Sequence, residues 1–100
     1  MANGEWELLT SIVTANNKRD HATLYRILAD DGVDFSDKPR CVHAAMNAIE
    51  LLPEHVIRHK DVLSAFVKRV DTVQVDYVTA FRLEILKDLL VHAGSRVSNK

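Results

Sequence analysis

The side chains able to do chemistry fall into short clusters. His55 and His59 stand four residues apart in Glu54-His55-Val56-Ile57-Arg58-His59, the spacing at which two imidazoles on one helical face can share a metal ion. A zinc hydrolase of this pattern needs glutamate directly after the first histidine, whereas here Glu54 precedes it. A third ligand would have to come from a distant residue such as His43 or Cys41, so the pair reads as solvated or core-edge histidines and no metal is expected. Asp30, Asp31, Asp34 and Asp37 surround Gly32, but a calcium loop requires glycine at its sixth position and glutamate at its twelfth. The aspartates fit no such register and read as helix caps, turn formers or an acidic docking surface.

Cys41 and His43 lie two apart on one predicted helix, so they point in different directions and cannot act as nucleophile and base. Cys41 sits beside an apolar stripe and reads as a small buried hydrophobe. No glycine-rich phosphate loop, recognisable pair of catalytic carboxylates or nucleophile elbow occurs. The expectation is a protein with no catalytic residue and no cofactor.

Basic residues offer a different chemistry. Arg58 and Arg69 share one side of a predicted helix, three turns or about 16 Å apart, with Val62 and Ala65 between them. Such a ridge, doubled in a dimer, can lie along duplex phosphates, whose positions depend on shape rather than sequence. Arg82 is the most unusual single residue, because it projects from an apolar helix face among Val78, Ile85, Leu86 and Leu89. A charge there needs a partner in the same chain or across an interface.

These residues must be positioned by helices, since only three glycines and two prolines interrupt the chain. Asn3 is placed to cap a first helix whose first turn carries Glu5 and Glu7, favourable at the positive end of the helix dipole. Its apolar side is Trp6, Leu8, Leu9, Ile12 and Val13. A short second helix over about Asp20 to Asp30 presents Leu24, Ile27 and Leu28, with Gly32 expected to close it. Pro39 suits the first turn of a third helix, on which Val42, Ala45, Met46, Ile49 and Leu52 recur at helical spacing. Pro53 separates it from a fourth, running to about Val70, with Val56, Leu63, Phe66, Val67 and Val70 as the buried stripe and His59 at its edge. Asp71 and Gln74 resemble a capping box that opens a fifth helix of about 22 residues, ending before Gly94, with 95–100 as a frayed tail. Val70 to Val78 alternates and is rich in β-branched residues, so a strand competes with helix there; helix is the expectation, because a lone strand has no partner.

Leu24 to Ser36 and Leu86 to Ser98 are each similar to the second helix and turn of an ankyrin repeat. Their glycines are 62 positions apart, not a multiple of the ankyrin period, and no Thr-Pro-Leu-His-x-Ala opening occurs. A helix closed by glycine accounts for the pattern.

The sequence thus predicts one all-α domain over residues 1–100, a compact bundle of about five helices with the last one long and either central or at a dimer interface. The chain holds 47% hydrophobic and 27% charged residues, ordinary for a globular domain and far from a disordered composition. Net charge is −1, split between a first half with 5 basic and 8 acidic residues and a second half with 8 and 6, so nothing global favours nucleic acid or an anionic membrane. No apolar run approaches the roughly 20 residues that span a bilayer, and no basic segment followed by an apolar run marks a secretory signal. One cysteine points to a reducing compartment, the cytoplasm.

On the last helix Val75, Val78, Phe81, Ile85, Leu86, Leu89, Leu90 and Ala93 cover about half the circumference, wider than one core needs. The leading expectation is a non-enzymatic module that binds another protein and forms a homodimer, with Arg82, Leu86 and Leu89 as partner-binding residues. The alternative is a sequence-independent binder of nucleic acid, double-stranded RNA above all, through Arg58 and Arg69.

Overall fold

The computed structural model describes the backbone of residues 4–98 and the side chains of residues 4–93. Among the described residues there are six helices and no strand: α1 Glu5–Asn17, α2 His21–Ala29, α3 Pro39–Ala48, α4 Pro53–Arg58, α5 Lys60–Val70 and α6 Tyr77–Ser98. The expected all-α bundle is the observed class, with one helix more than the sequence predicts. The fourth predicted helix breaks at His59, whose backbone (φ −113°, ψ 30°) leaves the helical region.

Each boundary has a local cause. Gly4 caps α1 with φ +80°, a conformation that glycine adopts without a Cβ clash; Asn3, the expected cap, lies outside the described residues. The other end of α1 is a left-handed closure in which the Arg19 N–H donates to Asn16 O (3.0 Å) and the Asp20 N–H to Ala15 O (2.8 Å). This is the bond pair that usually recruits glycine at the left-handed position, and here Arg19 occupies it with φ 56°. Asp20 then caps α2, its carboxylate accepting from the Thr23 N–H (3.1 Å) and hydroxyl (2.6 Å).

Gly32 does not close α2. The helix ends at Ala29 with an extended Asp30, and the Asp30 carboxylate accepts from the Gly32 N–H at 2.8 Å, while the left-handed residue of this loop is Asp37. A short polar side chain did what the glycine was expected to do. Pro39 and Pro53 occupy the first turns of α3 and α4 as predicted.

The largest departure lies at the start of α6. Residues 71–76 are neither helix nor strand. The cap is Asp76, which accepts from the Thr79 N–H at 2.8 Å, and Asp71 instead pairs with Lys87 Nζ at 3.1 Å. Val73 and Val75 tuck partly against the core from this irregular segment, so their burial needs no regular element. At the far end the helix continues through Gly94 to Ser98, which also removes the likeness between its end and that of α2.

α1 packs on α2 and α3, α2 on α5, and α6 on α3, α4 and α5. The shared core runs through Ile12, Leu28, Val42, Met46, Leu63, Phe66 and Leu86. Phe35, from the loop before α3, meets Phe66 edge to face at 5.3 Å, a favourable aromatic geometry. Cys41 is fully buried, its thiol lying 3.4 Å from Glu5 O, so burial pushes its pKa up and it packs as expected.

Candidate functional site

α6 carries two apolar stripes. Thr79, Leu83, Leu86 and Ala93, spaced by three, four or seven residues, turn into the protein and are buried. A second row, Val78, Phe81, Ile85 and Leu89, follows the same helical spacing about a quarter to a third of a turn round. Val78 and Phe81 are exposed and Ile85 and Leu89 half-buried. Of the seven exposed large hydrophobics among the described residues, Tyr77, Val78, Phe81 and Val91 are on this one helix.

The three residues expected to contact a partner therefore separate. Leu86 has no exposed surface and is core, which corrects its reading as an association residue. Leu89 straddles the two stripes, packed partly against the core. Arg82 is half-buried and finds its partner inside the chain, where its guanidinium donates to Asn47 Oδ1 on α3.

That bond is the first link of a chain whose direction can be read from its donors. With Asn47 Oδ1 taken by Arg82, Asn47 Nδ2 donates to His43 Nε2 (3.1 Å), so the His43 proton sits on Nδ1 and is donated to Thr79 Oγ1 (2.8 Å). Thr79 is fully buried, and its hydroxyl and N–H both serve the Asp76 carboxylate, holding Asp76 below the usual carboxylate pKa, with Arg82 adding smaller electrostatic help. Guanidinium and carboxylate are thus joined through Asn47, His43 and Thr79 across α3 and α6, a fully satisfied network of the kind a half-buried charge requires.

The network forms one wall of a cleft of about 620 Å³, whose other walls come from α1 (Leu9, Val13, Asn16), α3 (Pro39, Arg40, Ala44) and the α5–α6 segment (Gln74, Val75). Sequence reasoning missed this cleft. Its residues lie on three separated stretches, and the signal present was Arg82 on an apolar face, which announced a partner without saying which.

A second cluster lies where α2 meets α4 and α5. The Tyr25 ring stacks on His59 at 4.1 Å, nearly parallel (6°), and its hydroxyl donates to His55 Nε2. The His55 and His59 rings are 4.7 Å apart, and His21 stands edge-on to His55 at 6.0 Å. Burial, with the Glu50 charge behind it, raises Tyr25 to about 12. Burial likewise lowers His55, with His59 the next cause, and lowers His59, with Arg58 the next. Among the described residues no three metal-binding side chains converge on one point, and the pair packs at a helix junction as core-edge histidines.

Arg69 has a different role from the one its spacing implied. Its guanidinium donates to Leu28 O (2.8 Å), Asp30 O (3.0 Å) and Val33 O and lies 5.2 Å over the Phe35 ring. These contacts clamp the α2–α3 loop to α5 and correct its reading as half of a phosphate-binding ridge; Arg58 remains exposed on α4. Nothing in the sequence near Arg69 marks this, since its acceptors lie 36 to 41 positions earlier.

Among the described residues no helix is long and apolar enough to cross a membrane. Compared with family models, curated proteins and solved structures, the chain matches none. Its functional reading rests on its own residues.

Proposed function

We propose that the chain is a non-catalytic helical module that acts by covering a protein surface, its first partner being a second copy of itself, through the outer stripe of α6. The observation that carries this reading is the concentration of exposed Tyr77, Val78 and Phe81 at the start of one helix. Isolated apolar side chains on a surface are normal, but adjoining ones beside half-buried Ile85 form a patch. Aromatic residues are enriched at interface centres. The patch is small against the roughly 800 Å² per partner of a standard interface, which sets the association at the weak end of the range, on the order of micromolar. A reducing compartment such as the cytoplasm fits the lone buried Cys41.

Sedimentation velocity across a concentration series tests the reading. The expected result is a reversible dimer that Phe81→Asp with Val78→Asp converts to monomer, with helical content and thermal midpoint unchanged. Leu86→Asp is the contrasting variant, because charging a core position removes folding itself. A native chain that stays monomeric to millimolar concentration, or a dimer indifferent to the paired substitution, overturns the proposal.

A further inference from the structure

We propose that the cleft between α1, α3 and the start of α6 binds a small aliphatic carboxylate, its hydrocarbon on Leu9, Val13, Ala44 and Val75 and its charged end at Arg40. The volume, about 620 Å³, is within the range of sites for small molecules, which pair an apolar lining with few polar groups. The polar wall is already spoken for. His43, Asn47, Thr79 and Asp76 satisfy one another, so this wall presents no buried polar atom in need of a partner. The occupant that such a lining favours is mostly apolar.

Its charge is set at the other end. Arg40 lines the cleft in the first turn of α3, is exposed, and forms no ion pair among the described residues. α3 has no acidic residue in its first turn, and Lys38 at its cap provides no side-chain acceptor. Helix starts ordinarily carry acidic residues that offset the dipole and occupy the unpaired N–H groups. Here Arg40 and the positive end of the α3 dipole add positive potential at one mouth of the cleft, while the Lys38 charge is shared with Asp34. The one carboxylate of the lining, Asp76, is engaged by the Thr79 hydroxyl and N–H, with Arg82 a smaller contribution, and lies on a different wall from the aliphatic lining of α1.

The test is an amide NMR titration of the whole chain with octanoate, octanol and octylamine, three probes that share a hydrocarbon tail and differ in head-group charge. Octanoate is expected to shift the amides of Val13, Arg40, Ala44 and Val75 saturably and to bind at least about tenfold more tightly than octylamine, with octanol between. Arg40→Glu should reverse that order. Val13→Asp, at a position 41% exposed and therefore tolerant of substitution, should weaken octanoate several-fold while sparing the fold, and Ala44→Phe should exclude all three probes. Equal binding of octanoate and octanol, or an order unchanged by Arg40→Glu, leaves an apolar dent without anion recognition and overturns the proposal, as does the lack of saturation by 10 mM. The α6 dimer test is independent of either result.

Discussion

The two sides of the bundle are held by different means. On the side where α2 meets α4 and α5, polar groups are closed against fixed partners: Arg69 on three backbone carbonyls and the Phe35 face, and Tyr25 stacked on one histidine and bonded to another. On the side where α3 meets α6, a chain of side chains carries the contact, a cleft opens beside it, and α6 leaves apolar surface in water. Backbone acceptors are fixed by the fold, whereas an amide such as Asn47 can rotate away at little cost. The first side is a scaffold, and the second is where the molecule has surface to offer.

Arg69→Ala is the variant that separates the two sides most sharply. It leaves three carbonyls without a charged donor and removes the cation from over Phe35, and hydrogen bonds to charged groups contribute about 1.5–3 kcal/mol each. Some of these acceptors regain water, so the expected loss is about 3 kcal/mol of unfolding free energy, read from urea melts. Arg69→Lys should recover only part of it, since a single ammonium cannot span the fork. A loss under about 1 kcal/mol would show that the loop is held by Phe35 alone and would erase the contrast.

Acid should also strike the scaffold side. His55 and His59 titrate below their ordinary value because burial penalises the charged ring, and the neighbouring imidazoles and Arg58 add to that. Above about pH 6.5 both are neutral whether the chain is folded or not, and their contribution to stability is complete. As pH falls through that value the unfolded chain takes up protons first, so stability declines until the folded-state values are passed. The expected decline is on the order of 1 kcal/mol per unit of combined pKa depression. His59→Phe keeps the stack on Tyr25 and should flatten the melting profile between pH 7 and 5; a slope unchanged in that variant and in His55→Phe would assign the acid sensitivity elsewhere.

Asn47→Ala addresses the other side. It cuts the Arg82 and His43 bonds together, but both partners reach water, so the expected cost is about 1 kcal/mol or less. Amide shifts should spread through Thr79 and Asp76 while those of Tyr25 and Phe35 stay in place. A cost comparable with that of Arg69→Ala would mean that the two sides are equally stiff.

How much of this was legible depended on how local the cause was. Asp20, Pro39 and Pro53 act within a turn of themselves, and the buried stripes of α3 and α5 repeat at the helical period, so all were readable. Asp71 and Asp76 each have a polar residue three positions on, Gln74 and Thr79, and the choice between them was made by Lys87 from α6 and by the partial burial of Val73 and Val75. The width of the apolar arc on α6 was correct as a pattern, but which half of it faced inward depended on where α3, α4 and α5 lay. Leu86 was therefore assigned to the surface and Phe81 was not. Arg69 and the cleft are products of contacts tens of residues apart, for which a single sequence carries no period to detect.

The smallest effect tests the turn that joins the two sides. α1 lines the cleft and α2 belongs to the scaffold, and the chain passes between them at Arg19, held at φ 56° in the closure that glycine ordinarily completes. A branched-off Cβ in the left-handed region costs roughly 1 kcal/mol or more, and glycine removes that strain while adding freedom to the unfolded chain. The two effects oppose each other, and relief of strain is the larger at a position whose side chain is exposed. Arg19→Gly should therefore raise stability by about 0.5 kcal/mol, and Arg19→Ala, which keeps the Cβ, should not. The gain should appear in the global melt without altering octanoate binding, because the backbone at Arg19 is already in the conformation glycine prefers. If octanoate affinity moved with it, α1 would be shifting on α3 when the turn relaxes, and the boundary between scaffold and cleft would run through α1 rather than beside it.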